Sequence, residues 1–158
     1  MILFDNLTKY KEKRVYRIIV SLSERYITGS GFFIGRNQLL TCFHVAFTKE
    51  LRQLRADPRF TSISGGDEHS KLQDFFNRTV TGVAVALPDG TRAPATLRDF
   101  NEVYDIALFE VEIVGKKINS CILDYKPKLN RGDYVSFGGF PQHHSYTSDN
   151  TPFALQEG

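Results

Sequence analysis

The sequence predicts an all-β protein built on an antiparallel β-barrel, and three observations carry that expectation. Its apolar residues fall in short β-branched and aromatic runs of period two, as in Tyr16, Ile18, Val20 and Leu22. Glycine-containing turns and one Pro88-Asp89-Gly90-Thr91 turn break these runs after a few residues each. Strands that follow one another through tight turns leave no room for helical crossovers, which argues against βαβ units and a parallel sheet.

Residues 1–14 place Leu3, Phe4, Leu7 and Tyr10 at helical spacing among Lys9, Lys11, Lys13 and Arg14. A short amphipathic helix is therefore expected as an N-terminal leader covering one end of the barrel. Val15 to Leu22 reads as the first strand. Gly29 and Gly31 predict a hairpin, Phe32-Phe33-Ile34 the second strand, and Gly35-Arg36-Asn37 a turn into the third, Gln38 to Cys42. His44 is expected at the end of that strand, with Cys42 alternating with it as a small buried hydrophobe.

After Val45 the pattern changes. Thr48 to Ala56 fits a short helix capped by Thr48. Asp57 to Asn77 is polar, contains Gly65-Gly66, and reads as a long loop. The basic residues Lys49, Arg52, Arg55 and Arg59 fit a solvated face. Thr79 to Leu87 resumes a strand, the Pro-Asp-Gly turn follows, and Arg92 to Leu97 returns. Asp99 is expected in a loop, and Ile106 to Val114 in the last strand of the barrel. Gly115 to Asn130 then reads as a linker, and segments near Tyr134–Gly138 and Phe153–Leu155 as further strands.

At 158 residues the chain is long enough for one domain with a substantial core. Apolar content of 41%, charged content of 24% and a net charge of +2 are ordinary for a globular protein. So small a positive excess argues against a nucleic-acid partner, which needs a concentrated basic face. No apolar run reaches the roughly 18 residues of a membrane-spanning helix, so no membrane partner is expected. Met1-Ile2-Leu3-Phe4-Asp5-Asn6 has neither a basic start nor a small-residue cleavage site, so no secretion signal is expected. Cys42 and Cys121 could form at most one bridge. Both are expected to be free thiols, which suits a cytoplasmic location. His143-His144 has no acidic or thiol partner at ligand spacing, so no metal site is expected. Gly29-Ser30-Gly31 lacks the lysine and following helix of a phosphate-binding loop.

Three phrases stand out against this background: Gly29-Ser30-Gly31-Phe32, then Leu40-Thr41 followed two residues later by His44-Val45, then Asp105-Ile106-Ala107-Leu108. A single histidine or aspartate at a strand end is usually structural, but here both sit in fitting local phrases and in the order His, then Asp. Together they resemble the trypsin-like peptidases, most closely the HtrA-like branch, over about residues 15–45 and 79–141. Val85-Ala86-Leu87-Pro88-Asp89-Gly90 and Gly132-Asp133-Tyr134-Val135-Ser136-Phe137-Gly138-Gly139-Phe140-Pro141 extend the likeness.

The resemblance implies a chymotrypsin-like fold of two β-barrels. Residues 15–114 would form a complete first barrel with an insertion at 46–78. Residues 115–158 would form the inter-barrel linker and only the start of the second barrel. It implies peptide-bond hydrolysis of a peptide or protein substrate, with no metal or organic cofactor. His44 would be the general base and Asp105 the carboxylate that orients it. Asp99 competes with Asp105, but Asp105 opens a strand in the phrase the family uses. The family's nucleophile lies in Gly-x-Ser-Gly-Gly, a phrase absent from these residues and expected after Gly158. Ser64-Gly65-Gly66 copies its end, yet position 62 is Ser62 where a glycine is required, and Ser64 precedes the aspartate.

The second barrel would need the rest of the parent chain or another subunit to complete it, and the 158-residue chain alone is expected to be inactive. The cysteine that secreted members often carry after the histidine is replaced by Val45. Two alternatives stay open: a pseudopeptidase kept as a peptide- or protein-binding module, and a chymotrypsin-fold cysteine peptidase.

Overall fold

The computed structural model describes residues 14–47, 56, 58, 66–123, 136–140 and 154–157. Six strands close into an antiparallel barrel: β1 (Tyr16–Ser21), β2 (Tyr26–Phe33), β3 (Gln38–Thr41), β4 (Gly82–Ala86), β5 (Arg92–Asn101) and β6 (Ile106–Val111). Their order around the barrel is β1-β2-β3-β6-β5-β4, with β4 returning to β1. The all-β, chymotrypsin-like barrel is therefore observed. A separate antiparallel pair joins β7 (Ser136–Gly139) to β8 (Ala154–Glu157).

Alternation builds the barrel as the sequence suggests. Ile18 and Val20 of β1, Phe33 of β2, Leu39 of β3, Val85 of β4 and Phe109 of β6 are wholly buried. Closure leaves no unpaired edge among these six strands, the usual liability of an open sheet. A bulge between Leu97 and Asp99 re-registers β5 against β6, so that Asp99 pairs with Leu108 and Phe100 with Ala107. Asp99 thus lies within a strand, not in the expected loop.

The first hairpin also differs from expectation. Its turn is at Leu22–Arg25, where Leu22 N–H donates to the Arg25 carbonyl at 2.7 Å. Gly29 and Gly31 sit inside β2, opposite Ile18 and Tyr16. They mark close approach, not a turn. A Cβ at Gly31 would fall 2.5 Å from Leu39 Cδ2 and 2.9 Å from the Leu40 carbonyl oxygen. The Asp89-Gly90 turn matches expectation: Asp89 Oδ1 accepts from Thr91 N and Oγ1 at 3.0 and 2.6 Å, and Lys116 Nζ lies 2.9 Å from Asp89 Oδ2. These contacts hold the Asp89 carboxyl well below the usual carboxylate range.

Among the described residues, two helices interrupt the strands. Strand β3 ends at Thr41, and Phe43–Ala46 forms one helical turn, α1, with Cys42 as its N-cap. His44 is therefore on a helix, and Cys42 is exposed instead of buried. The second helix, α2, spans Glu68–Thr79 and replaces much of the loop expected at 57–77. Asp67 caps it, accepting from Ser70 N at 2.8 Å, and Leu72, Phe75 and Phe76 line its buried face. The leader over residues 1–13, the helix expected at Thr48 to Ala56 but for Ala56 itself, Ser64 and His143-His144 all lie outside the described residues.

After β6 the chain runs back along the barrel. Cys121 N–H donates to the Phe33 carbonyl at 2.6 Å, and Asn119 N–H to the Tyr16 hydroxyl at 3.0 Å. Further on, Phe140 N–H donates to Ser30 Oγ at 2.6 Å, and the Arg17 guanidinium lies 4.9 Å from the Phe140 ring centre. Burial raises the pKa of the Tyr16 phenol despite its hydrogen bond with Asn119.

Candidate active site

The end of β3 and the start of β6 meet at one corner of the barrel, because Thr41 pairs with Ala107. Thr41 is buried and its hydroxyl donates to the Ser30 carbonyl at 2.6 Å, tying β3 to the Gly-Ser-Gly stretch of β2. The chain then turns into α1, whose first N–H groups lack partners within so short a helix. Asp105 supplies them. Its backbone carbonyl accepts from Phe43 N at 3.0 Å, and its Oδ1 accepts from His44 N at 3.0 Å.

The other carboxylate oxygen meets the imidazole. His44 Nδ1 and Asp105 Oδ2 are 2.7 Å apart, although sixty-one residues separate them in the chain. An ionised carboxylate only accepts, so the bonded proton belongs to Nδ1 and the lone pair to Nε2. Both oxygens of Asp105 thus act on His44, one on its backbone and one on its ring. Asp105 has φ 53, the left-handed region that aspartate tolerates better than most residues. Its N–H is held by the Glu102 carbonyl at 3.2 Å. The side chains remain about half exposed, 54% for His44 and 47% for Asp105.

Packing beneath the dyad comes from aromatic rings. Phe43 and Phe47 stack at 4.5 Å on the buried side of α1, and Phe100 lies 5.5 and 4.7 Å from them. Phe76 of α2 reaches Phe47 at 5.2 Å and Phe109 at 6.2 Å. The turn that carries His44 is thus wedged between the barrel and α2. That buttress was missed in the sequence, although Asp67-Glu68-His69-Ser70 is a capping phrase and Leu72, Phe75 and Phe76 have helical spacing.

The two candidate carboxylates take different partners. Asp105 holds His44, whereas Asp99 lies 3.1 Å from His69 Nε2 on α2. The His69 ring stacks on Phe100 at 4.1 Å with an 8° interplanar angle. Cys42 lies beside the first pair: one donor atom from each of Cys42, His44 and Asp105 falls within 4.8 Å of the others. Burial, and then the charge of Asp105, push the Cys42 thiol up, which disfavours the thiolate needed for attack. Both cysteines are free thiols. A groove of about 330 Å³ opens beside Cys42 and Asp105, with Val15, Phe32, Leu40 and Ile106 among its walls. Among the described residues no helix is long and apolar enough to cross a membrane.

Comparison with known proteins agrees with this architecture. No curated protein matches the chain. Among solved structures, the Rv3671c protease from M. tuberculosis in its active form matches with a TM-score of 0.59 at 15% identity. The match covers 99% of this chain and 51% of that one, so the chain spans about half the length of that structure. Residues 29–158 match the family model for the trypsin-like peptidase domain, and with that share of its length matched the chain belongs to this family.

Proposed function

We propose that this chain carries the general-base part of a trypsin-like serine endopeptidase of the HtrA-like kind. The observation that carries the reading is the 2.7 Å contact between His44 Nδ1 and Asp105 Oδ2, with the second oxygen of Asp105 fixing the His44 backbone. The proton on Nδ1 leaves the Nε2 lone pair available to a nucleophile. The imidazole takes the nucleophile's proton during attack on the peptide carbonyl, then returns it to the leaving amine. Asp105 keeps the ring in that tautomer and stabilises the imidazolium that forms between the two steps.

The nucleophile is a serine supplied with its oxyanion-hole amides from beyond Gly158, by the rest of the parent polypeptide or by another subunit. No serine in these 158 residues has the Gly-x-Ser-Gly setting. The domain plan proposed is a leader at 1–14, a first barrel at 15–114 and the opening of a second from 115. Free thiols at Cys42 and Cys121 support a reducing, cytoplasmic setting.

The test uses the natural full-length polypeptide, a denatured protein substrate and a fluorophosphonate probe. His44→Ala is expected to lower hydrolysis by a factor of order 10³ or more, since base and nucleophile act as one unit. Unchanged turnover in His44→Ala, or a probe-silent polypeptide that still hydrolyses peptides, overturns the serine-peptidase reading.

A further inference from the structure

We propose that Cys42, His44 and Asp105 form a binding site for a thiophilic divalent cation of the zinc class, and that occupation of this site switches the dyad off. The binding goes beyond the peptidase reading and rests on the placement of three donor groups alone, while the switching-off rests on that reading.

A thiol, an imidazole and a carboxylate are the three side-chain types that zinc selects, and here one donor atom of each lies within 4.8 Å of the others. In a tetrahedral site with bonds of about 2.0–2.3 Å, neighbouring ligand atoms stand roughly 3.3–3.8 Å apart. The donors are therefore an ångström or so from a closed set. That adjustment falls on exposed side chains: Cys42 is exposed, and His44 and Asp105 are about half exposed. The backbone is already fixed. Cys42 caps α1, His44 is its second residue, and Asp105 is hydrogen-bonded to the same helical turn. Three ligands from one rigid corner leave a fourth position for water, the arrangement of an open zinc site.

Binding balances simply. The Cys42 thiol loses its proton to solvent and the thiolate binds the cation. Asp105 contributes a carboxylate oxygen, and the neutral imidazole contributes one nitrogen lone pair. Either imidazole nitrogen gives the same result. Bound through Nε2, the ring has spent the lone pair that would accept a proton. Bound through Nδ1, it carries its remaining proton on Nε2 and again has none to offer. In the Nε2-bound case the cation also draws the Asp105 carboxylate away from Nδ1–H. A peptidase with this corner occupied has no general base.

The thiol completes the site. Cys42 lies two residues before His44, one side of the groove bounded by Val15, Phe32 and Ile106. Without the thiol, His44 and Asp105 offer only two donors, too few for a closed or a three-ligand site.

The experiment reads binding directly on the 158-residue chain, without peptide hydrolysis, so its outcome is separable from that of the proposed function. Zn²⁺ is titrated by calorimetry, and Co²⁺ by absorbance for the thiolate-to-cobalt band and tetrahedral d–d bands. One ion per chain is expected. Cys42→Ser should weaken binding by at least ~100-fold, since even an outer partner of a ligand is worth 10–100-fold, and should abolish the thiolate band. Asp105→Asn should weaken binding as well, while Cys121→Ser and His69→Gln should bind as the unaltered chain does. Binding by Cys42→Ser equal to that of the unaltered chain, a thiolate band that vanishes with Cys121→Ser instead, or no binding at all would each overturn the proposal. Serine is nearly isosteric at this exposed position, so loss of folding does not cloud the result. Circular dichroism of Cys42→Ser unchanged from that of the unaltered chain verifies this.

Discussion

Gly29→Ala puts the link between the barrel and the dyad to a direct test. Gly29 lies inside β2, opposite Ile18, and its missing side chain is the space that α1 occupies. A Cβ there would stand 2.4 Å from Val45 Cγ1, 2.7 Å from Cγ2 and 3.1 Å from Cβ. Carbon atoms pack at about 3.5–4.0 Å, so relief requires a displacement of roughly 1 Å. Val45 cannot rotate away cheaply, because a β-branched side chain in a helix has one strongly preferred rotamer. The displacement therefore falls on α1, where His44 is the adjacent residue. Overpacking of this kind costs about 1–3 kcal/mol of stability. A 1 Å misplacement of a reacting group costs on the order of 100-fold in rate.

Two measurements on the purified chain suffice. Denaturant unfolding should show the loss of stability, and the proton resonance of His44 Nδ1–H should shift as its bond to Asp105 lengthens. Val45→Ala removes both offending methyl groups, so Gly29→Ala with Val45→Ala should restore the resonance. The coupling between the two changes should exceed ~0.5 kcal/mol, the limit of ordinary additivity. If Gly29→Ala leaves stability and the resonance unchanged, or Val45→Ala fails to rescue it, the glycine does not set the position of His44.

Other outcomes follow from the same corner. In the full-length polypeptide, Asp105→Asn should lower peptide hydrolysis by roughly 10³–10⁴-fold, whereas Asp99→Asn, which touches His69, should leave it nearly unchanged; steady-state kinetics decides between the two carboxylates. Phe76→Ala empties the site between Phe47 and Phe109 at a residue 3% exposed, and should cost about 3–5 kcal/mol in denaturant unfolding. The Asp67 carboxyl is held below its usual range by Ser70 N–H at the start of α2. Its stabilising effect is complete above the ordinary aspartate value of about 3.9 and is lost as pH falls through the lower folded value. Hydrogen-exchange protection across Glu68–Thr79, taken relative to the intrinsic rate at each pH, should therefore fall on acidification, and less steeply in Asp67→Asn, where the cap survives without a titrating group.

What could be read from the sequence, and what could not, divides along physical lines. Period-two patterning exposed the barrel, since each inward residue such as Ile18, Val85 or Phe109 is dictated by burial alone. His44 and Asp105 were legible because their local phrases are short and fixed in order, and the structure brings them together. Features set by contacts across the chain were hidden. Gly29 and Gly31 looked like turn residues, because a glycine spared for close approach carries the same letter as one needed for a turn. Cys42 looked buried because the end of β3 at Thr41, one residue earlier, depends on Asp105 capping the next turn from sixty-one residues away.

The helix α2 was concealed by its polar surface, and it bears most on the site. Its buried face is only Leu72, Phe75 and Phe76, and the remainder of Glu68–Thr79 is charged or polar. In a window average that composition reads as loop. Yet without Phe76 the ring of Phe47 would lose one wall, and Phe47 closes the turn by donating its N–H to the Phe43 carbonyl at 2.7 Å. Phe43 in turn fixes the backbone immediately before His44. The segment between histidine and aspartate is therefore more than a surface elaboration: through the contacting rings of Phe76, Phe47 and Phe43 it limits where the imidazole can sit. Shortening the inserted segment while keeping Glu68–Thr79 should leave the His44–Asp105 contact intact. Deleting α2 should broaden or abolish the Nδ1–H resonance even where the barrel still folds. An unchanged resonance after deletion of α2 would show that the barrel alone positions His44.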